Sequence, residues 1–357
     1  MDVDRIVITG GAGFVGSSLA LSFRRLGIKH VLAVDSLKRR GSELNLSRLR
    51  AAEVSFLHAD VRCPEDLESL PNCDLMIDCS AEPSVHAGQT GGARYLLNTN
   101  LLGTINCLEA ARTRGAAFLF LSTSRVYPMA PLNELPYAED ETRFRWATNG
   151  PLVPGFSSQG ISEQFPLSGA RSLYGASKLA GELLIQEYVH SYGLKAMINR
   201  CGLLAGPWQL GKVDQGVIAL WVARHHFQQP LRYIGYGGQG KQVRDVLHVD
   251  DLFDLIVLQM QQPEHWDGRV YNVGGGCESS ASLLELTKIC QSVTGKIVEI
   301  TSVPETHNVD LRIYVTDSSH VKQDFAWNPR RNVTQVVTDV SNWLVNHHEE
   351  LESVFVG

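Results

Sequence analysis

A glycine-rich turn near the first residue constrains the fold of this chain more than any other feature. The run Arg5–Thr9 before it is short, apolar and β-branched, which is typical of a buried strand in a parallel sheet. The residues after the turn have helical spacing, and glycines allow both a tight turn and a close approach of the backbone to a pyrophosphate. Strand, turn and helix together predict a dinucleotide-binding βαβ unit. The residues of the turn predicted to contact the cofactor are Gly10, Gly13, Phe14, Val15 and Gly16.

The end of the second predicted strand bears on the choice of cofactor. Residues 30–34 form an apolar run that ends at Asp35, and Ser36 follows. A carboxylate at this place accepts hydrogen bonds from the ribose hydroxyls and repels a 2′-phosphate, so Asp35 and Ser36 are predicted to contact NAD. The basic residues 38–40 follow closely, and they leave open the alternative of a phosphate-binding site for NADP.

Strands and helices continue to alternate along the chain. Further strands are predicted at 53–59, 74–79, 117–121 and 195–200, and helices at 98–112 and 174–188. This alternation predicts an α/β protein with a Rossmann-type, doubly wound parallel sheet and a site at the carboxyl ends of the strands.

We predict two domains from this pattern. Residues 1–200 form the NAD-binding domain, and residues 201–357 form mostly a smaller C-terminal substrate-binding lobe, with some segments returning to the first domain. Residues 128–173 are polar and interrupted by prolines, so they are predicted to be an ordered insert loop within the first domain. Loops of this length are usually functional.

Composition and charge exclude several other classes of protein. A formal net charge of −6 argues against an electrostatic nucleic-acid binder, and no apolar run reaches the ~18 residues of a membrane span. The seven cysteines lack a C-x-x-C pair and the twelve histidines lack metal-ligand spacing, so no metal is predicted. The first residues lack a signal-peptide pattern, and reduced thiols then indicate a cytoplasmic protein.

Tyr174 and Lys178 are four residues apart in a predicted helix, so their side chains share one face. A tyrosine ordinarily ionises near pH ~10, and a cation beside it lowers the phenol pKa towards the range of general acid–base catalysis. Such a pair occurs by chance on many solvated helices. The other motifs of the chain make a catalytic role the stronger interpretation.

Five separated blocks occur in one order along the chain. They are the Gly10/Gly13/Gly16 turn, Asp60-Val61, residues 122–127 (Ser-Thr-Ser-Arg-Val-Tyr), Tyr174-x-x-x-Lys178 and residues 240–248. On these blocks the chain resembles the extended short-chain dehydrogenase/reductase superfamily of NAD-dependent nucleotide-sugar epimerases and dehydratases, from Ile6 to about Trp343. Each block alone is weak, whereas five in the right order are highly specific together.

The resemblance implies a role for each matching residue. Thr123 is similar to the strand-end hydroxyl that hydrogen-bonds the reacting sugar oxygen, Tyr174 to the general acid/base, and Lys178 to the lysine that binds the nicotinamide ribose. Arg244 and Arg312 match two arginines that clamp the substrate diphosphate, a task suited to bidentate guanidinium groups. The alternatives are a buried core threonine and arginines in surface ion pairs. Further cofactor contacts are implied for Asp60, Val61, Ser80, Ala81, Asn100 and Tyr174.

Within the superfamily the chain is most similar to the CDP-paratose 2-epimerase (tyvelose epimerase) group. The likeness rests on residues 35–41 with 45–46, 141–143, 214–216 and 240–248. It implies an isomerase in which Tyr174 removes a hydroxyl proton while NAD holds the hydride of a transient keto-sugar. The alternatives are a UDP-sugar 4-epimerase, a nucleotide-sugar 4,6-dehydratase and a non-catalytic NAD-binding protein.

The dehydratase is disfavoured by the residues after Thr123. The resembling dehydratases have an Asp-Glu pair there, whereas this chain has Ser124-Arg125. The resemblance also implies a homodimer or higher homo-oligomer, with residues 101–110 and 179–188 as candidate helix faces. The expected partners are therefore a nucleotide-diphosphate sugar and further copies of the chain, without nucleic acid or membrane.

Overall fold

The computed structural model describes residues 1–88, 91–147, 150, 152–210 and 216–356. Contacts within the chain divide it into two units. The first consists of Met1–Val126, Ser172–Cys201 and Leu252–Tyr271, and the second of Tyr127–Arg171, Gly202–Asp251 and Asn272–Gly357. Asp214 and Gln215, which contribute to the resemblance to the 2-epimerase group, lie outside the described residues.

The first unit is built on a seven-stranded sheet. In chain order, its strands are Arg5–Thr9, His30–Asp35, Ser55–His58, Leu75–Asp78, Ala117–Thr123, Ala196–Cys201 and Asp267–Val273. Counted in this way, they lie across the sheet in the order 3-2-1-4-5-6-7, and the five neighbouring pairs among the first six strands are parallel. This is the strand order of a Rossmann-type doubly wound sheet, so the predicted fold class is confirmed.

Helices cover the sheet and bury its strands. The strand Ala117–Thr123 is buried along its whole length, and Val7 and Phe118 pack on one face with Ile185 of a helix. Side chains alternate along a strand, so Ile6 and its equivalents face the other side. The helices of this unit are Phe14–Leu26, Asn45–Ala51, Pro64–Glu68, Ala93–Leu97, Gly103–Arg114, Leu173–Tyr192 and most of Val249–Gln261, with a π-helical turn at Asn98–Leu102.

The second unit is organised around the strand Val243–His248. This strand pairs in parallel with Leu203–Ala205 and Ile313–Tyr314, and antiparallel with Ser280–Ser282. A separate parallel pair joins two further strands, Leu231–Ile234 and Ile300–Val303. The helices of this unit outside the insert are Val217–His226, Leu283–Thr294, Ser319–Phe325, Val333–Asn346 and His348–Phe355. Buried side chains of the first two and the last two of these helices form a hydrophobic core.

The insert differs from the prediction in both structure and location. The sequence predicts a loop of the first domain at 128–173, but the segment contains a helix and two antiparallel hairpins, and its contacts group residues 127–171 with the second unit. The helix is Met129–Glu134, and the hairpins pair Tyr137–Glu139 with Phe144–Trp146 and Phe156–Ser157 with Gly160–Ile161.

An ion pair explains why the insert belongs to the second unit. The Nε of Arg143 lies 2.9 and 3.0 Å from the two carboxylate oxygens of Glu285. The hydroxyl of Thr142 donates to the same carboxylate at 2.7 Å, and Glu285 also completes a capping box with Ser282 at the start of the helix Leu283–Thr294. Arg143 and Glu285 are 142 positions apart, so a local sequence pattern carries no signal of this contact.

The cysteines are free thiols, and Cys73, Cys107, Cys201 and Cys290 are buried. Over the described residues, no helix combines the length and the apolar character needed to cross a bilayer. Among the same residues, no three His, Cys, Asp or Glu side chains are grouped to hold a metal ion. The cytoplasmic location stays a prediction from the sequence.

A contact between the buried His226 and the exposed His348 makes the stability of the second unit depend on pH. The Nε2 of His226 lies 2.9 Å from Nδ1 of His348, and Lys296 donates to the His226 carbonyl at 2.6 Å. Burial lowers the pKa of His226, and the charges of Lys296 and His348 lower it further. The folded protein therefore binds fewer protons than the unfolded chain. The free energy of unfolding must then fall as the pH drops through the unfolded-state pKa of about 6.5.

We expect His226→Gln to lose less stability than the wild-type protein between about pH 7.5 and about pH 5.5. Because pH 5.5 lies only one unit below the unfolded-state pKa, this difference is at most about 1.4 kcal/mol. Thermal unfolding at both pH values measures it. His190 is exposed on the helix Leu173–Tyr192, so His190→Gln serves as the control and should keep the wild-type pH dependence. An identical pH dependence of His226→Gln and wild type would contradict the assignment.

Candidate active site

The glycine turn is so tightly packed that a side chain at Gly10 or Gly16 would overlap the backbone. A Cβ at Gly16 would lie 2.2 Å from the Gly10 carbonyl oxygen, and one at Gly10, whose φ is +65°, would lie 2.7 Å from the Cys79 carbonyl oxygen. The helix Phe14–Leu26 begins after Gly13 without a side-chain cap. Its first N–H groups and the positive end of its dipole can therefore face a pyrophosphate. The turn fits the predicted dinucleotide.

Asp35 ends the second strand and lies against the glycine turn. Its carboxylate accepts hydrogen bonds from Ala12 N at 3.1 Å and from Leu37 N at 2.8 Å. Burial raises the pKa of Asp35, while the N–H donors of Leu37, Ala12 and Gly13 act in the opposite direction. Asp35 and the adjacent Ser36 thus stand at the strand end where the ribose hydroxyls are predicted.

Asp60 and Val61 follow the third strand. Asp60 accepts from Arg62 Nε at 2.9 and 3.0 Å, and this guanidinium holds the pKa of Asp60 below its usual range. Arg62 also lies over Tyr95, 5.0 Å from the ring centroid. Val61 is buried and packs on Gly103, where a Cβ would come within 2.7 Å of Val61 Cγ2. Both residues therefore shape the surroundings of the predicted cofactor site through protein contacts.

Asp35 accepts hydrogen bonds from backbone N–H groups, whereas Asp60 is paired with Arg62. This difference leads to a prediction about the choice between NAD and NADP. We expect Asp35→Asn to raise the affinity for NADP relative to NAD by roughly tenfold or more, because the variant lacks the charge that repels a 2′-phosphate. Calorimetric titration with each dinucleotide measures the ratio. Asp60→Asn is the control and should change both affinities alike, since Asp60 is paired with Arg62. An unchanged ratio in Asp35→Asn would show that the residue does not select the cofactor.

Asn100 joins three parts of the first unit. It is fully buried in the π-helical turn Asn98–Leu102, which interrupts a helix that the sequence predicts as regular. Its Oδ1 accepts from Glu82 N at 2.7 Å, and its Nδ2 donates to Glu82 O at 3.1 Å and to Ser177 Oγ at 3.3 Å. Such π-turns are frequent at functional sites. The turn that Asn100 holds contains two residues predicted to contact the cofactor, Ser80 and Ala81.

Thr123 and Tyr174 meet at the carboxyl end of the sheet. Thr123 ends the fifth strand and is buried, and Tyr174 lies in the first turn of the helix Leu173–Tyr192, which Ser172 caps. Burial raises the pKa of Tyr174 to about 12, while the neighbouring hydroxyl of Thr123 and the charge of Arg125 act in the opposite direction. The structure thus brings the predicted acid/base and the predicted hydroxyl together.

Lys178 lies one turn further along the same helix, 2% exposed, with its Nζ 4.3 Å from the centroid of the Phe120 ring. Burial lowers the pKa of Lys178, and the carboxylate of Asp78 is the largest influence that raises it. The predicted lowering of the Tyr174 pKa by Lys178 is wrong. Burial dominates at Tyr174, and the cation that opposes it is Arg125.

Arg244 lies in the strand Val243–His248 of the second unit, and Arg312 directly precedes the neighbouring strand Ile313–Tyr314. Arg244 donates to Val243 O at 2.7 Å and to Leu311 O at 2.7 Å, and Arg312 donates to Asn133 O at 3.1 Å. Burial raises the pKa of Tyr236, and the charges of both arginines act in the opposite direction. The two predicted diphosphate ligands therefore lie around one tyrosine, whose surroundings they make positive.

Aromatic side chains enclose Arg312, and the sequence did not single them out. Its guanidinium carbon lies 3.9 Å from the ring centroid of Tyr137, 5.1 Å from that of Tyr236 and 5.8 Å from that of Phe144. Tyr137 and Phe144 come from the insert, so only the folded insert reveals them. Asp78 and Arg125 were also missed. An acidic residue that closes an apolar strand, as in Leu75–Asp78, is the signal that could have pointed to Asp78.

Comparisons with known proteins extend over nearly the whole chain. A sequence model described as the NAD dependent epimerase/dehydratase family matches residues 6–274. The chain is 28% identical to CDP-paratose 2-epimerase of Salmonella typhi, over 95% of this chain and 98% of that protein. It is 27% identical to dTDP-glucose 4,6-dehydratase of Escherichia coli, over 99% of this chain and 97% of that protein. The solved structure of UDP-glucose 4-epimerase from Thermus thermophilus, a complex with NAD, has a TM-score of 0.74 and 25% identity, over 96% of this chain and 99% of that chain.

Proposed function

Because this chain belongs to the NAD-dependent epimerase/dehydratase family, we propose that it is a nucleotide-sugar epimerase that acts at C2 of a CDP-sugar. Membership of the family confirms the predicted superfamily and NAD as the cofactor. The observation that carries the proposal is the proximity of Thr123 and Tyr174, one helical turn from the buried Lys178. Similarity to CDP-paratose 2-epimerase over 95% of the chain supports the CDP-sugar and the carbon.

Tyr174 carries out the proton transfers of this reaction. NAD, when bound, supplies the ring that takes hydrogen from the sugar carbon and gives it back. The phenol oxygen of Tyr174 takes the hydroxyl proton and later returns it, and Thr123 holds the sugar oxygen in line with that phenol. A phenol with a pKa of about 12 is almost fully protonated at neutral pH, so the hydroxyl of Thr123 and the charge of Arg125 have to stabilise the phenolate as it forms.

The residues after Thr123 favour epimerisation over dehydration. Elimination of water needs a general acid and a general base next to the sugar. Ser124 and Arg125 follow the strand in a 3-10 turn, and Arg125 N donates to Thr123 Oγ1 at 3.2 Å. A guanidinium stays protonated and has no acceptor, so it offers no base for the elimination.

The arginine cluster of the second unit suits the nucleotide diphosphate. Arg244 and Arg312 carry two positive charges around Tyr236, and guanidinium groups bind phosphate oxygens in bidentate fashion. The aromatic rings of Tyr137 and Phe144 keep Arg312 in place, which reduces the entropy lost on binding. This cluster would thus bind the diphosphate of the substrate.

Nuclear magnetic resonance of sugar nucleotides incubated with the protein in deuterated water tests the function. The panel consists of CDP-, UDP-, GDP- and dTDP-sugars. We expect a change of configuration at C2 of a CDP-sugar without deuterium at that carbon, because the same hydrogen returns. Inversion at C4 of a UDP-sugar would instead identify a 4-epimerase, and a 6-deoxy-4-keto product would identify a dehydratase. Deuterium on the inverted carbon would reject the mechanism.

The proposed assembly is a homodimer formed by the helices Gly103–Arg114 and Leu173–Tyr192, which pack on each other. Leu97 and Leu102, which precede the first helix, and Leu183 in the second are 37%, 41% and 58% exposed. Exposed leucines on a packed helix pair favour a partner surface. We expect Leu183→Glu to convert the dimer to monomer in sedimentation equilibrium, while Val345→Glu, an equally exposed position in the second unit, leaves the dimer intact. A monomeric wild type would rule the assembly out.

A further inference from the structure

We propose that Asp78 is a positioning residue for Lys178: its buried carboxylate keeps the lysine ammonium charged and fixed where it serves the cofactor. The inference rests on the proposed function, in which Lys178 contacts the nicotinamide ribose. Asp78 lies outside the five sequence blocks, at the end of the strand Leu75–Asp78.

Hydrogen-bond donors surround the carboxylate of Asp78. The residue is 0% exposed, and both of its carboxylate oxygens accept hydrogen bonds. Oδ1 accepts from Thr9 Oγ1 at 2.8 Å and from Ser80 N at 3.0 Å, and Oδ2 accepts from Thr104 Oγ1 at 3.0 Å. An ionised carboxylate only accepts, and this set of donors suits that form. The site therefore holds a negative charge in the interior of the first unit.

The Lys178 ammonium lies over the same part of the sheet as Asp78. Asp78 is the register partner of Phe120 in the parallel pair of the fourth and fifth strands. Paired residues on neighbouring strands project to the same face. Since the Lys178 Nζ lies over the Phe120 ring, the ammonium and the carboxylate occupy one face, beneath the helix Leu173–Tyr192.

The space between the helix Leu173–Tyr192 and the sheet is tightly packed. The helix approaches the sheet so closely at Gly181 that a Cβ there would lie 3.1 Å from Phe120 Cζ and 3.5 Å from Thr104 Cγ2. Lys178, Phe120 and Thr104 are all buried. Charges interact strongly where water is excluded, and a buried ammonium without an anion tends to lose its proton.

Burial and nearby groups act on the pKa of Lys178 in opposite directions. Burial lowers the pKa of Lys178; Asp78 is the largest influence in the other direction, followed by the thiols of Cys79, Cys201 and Cys107. Thiols are mostly uncharged at neutral pH, and burial raises the pKa of these three further. Asp78 is thus the charged group that opposes the effect of burial on the pKa of Lys178.

Titration of Lys178 in the protein labelled with ¹³C at lysine Cε tests the inference, with the signal assigned by its loss in Lys178→Met. We expect Asp78→Asn to lower the titration midpoint of Lys178 by about one pH unit or more, and the Kd for NAD above the new midpoint to rise roughly tenfold. Asp78→Glu should restore most of both. Thr104→Val is the matched control, since it takes one hydrogen bond from Asp78 but leaves the charge, and its Lys178 midpoint should stay at the wild-type value.

A folded Asp78→Asn with an unchanged Lys178 midpoint overturns the proposal, because the carboxylate would then serve only to join Thr9 and Thr104. If Asp78→Asn does not fold, the same question is put to Asp78→Asn/Lys178→Met. If the two charges balance each other, removing the second charge restores folding, and a double variant as unstable as Asp78→Asn alone would reject the proposal. These measurements need no substrate, so failure of the sugar-nucleotide panel and failure of this inference are separate results.

Discussion

Replacing Tyr174 by phenylalanine is expected to lower kcat by about 10²–10⁴-fold, because the variant lacks the oxygen that takes and returns the proton. The fold around the residue should persist, since the helix cap formed by Ser172 accepts from Gly175 N and does not involve the phenol. NAD should still bind, because the glycine turn and Lys178 are unchanged. Turnover of the substrate identified from the panel and calorimetric titration with NAD measure the two properties.

Tyr188 provides a matched control on the same helix. Burial raises the pKa of Tyr188 to about 12 as well, and its hydroxyl donates to Glu109 at 2.5 Å. Tyr188→Phe therefore removes an equally perturbed phenol that lies outside the proposed site, and kcat should stay within about twofold of wild type. Equal turnover in both variants would favour a non-catalytic NAD-binding protein, whereas loss of NAD binding in Tyr174→Phe would make the tyrosine a cofactor ligand.

The first unit could be predicted from the sequence because its signals are local. Each apolar β-branched run, such as Arg5–Thr9, precedes a helical pattern, and the glycine turn specifies how strand and helix connect. The strand ends at Asp35 and Thr123 follow from the same pattern, and parallel strands bring their carboxyl ends to one edge. The alternation of elements thus led to the fold and to the edge that carries the candidate site.

The insert could not be predicted because its structure depends on distant partners. Its hairpin strand Phe144–Trp146 is tied by Phe144 N to Lys241 O at 2.9 Å, and Arg143 is paired with Glu285. Prolines and polar residues are typical of a loop, and they say nothing of a carboxylate far along the chain. The aromatic setting of Arg312 was missed for the same reason.

The pKa of Tyr174 could not be predicted from the sequence for a different reason. The spacing of Tyr174 and Lys178 correctly places them on one helix, but spacing does not report burial. Burial raises the pKa of the phenol, and the ammonium lies over Phe120 on the face that carries Asp78. A pKa depends on all groups within several ångströms, and most of these come from other elements of the fold.

Breaking the buried ion pair between Glu182 and Arg200 is expected to cost about 3–5 kcal/mol of unfolding free energy, a large part of the roughly 5–15 kcal/mol of a typical domain. The side chains are 2% and 5% exposed, and Arg200 Nη2 lies 2.7 Å from Glu182 Oε2. Ser122 also donates to Glu182. Removing one charge leaves the other buried without a partner, which is why Glu182→Ala and Arg200→Ala should each be severe.

The pair also fixes the candidate site, since it joins the helix Leu173–Tyr192 to the strand Ala196–Cys201. Urea denaturation measures the cost, and Arg145→Ala, which breaks an exposed pair with Asp140, should cost less than about 1 kcal/mol. Glu182→Met/Arg200→Met leaves no lone charge and should regain most of the stability lost in either single variant. If the double variant were as unstable as the sum of the single ones, the loss would come from packing, and the ion pair would not be what holds Tyr174 and Lys178 against the sheet.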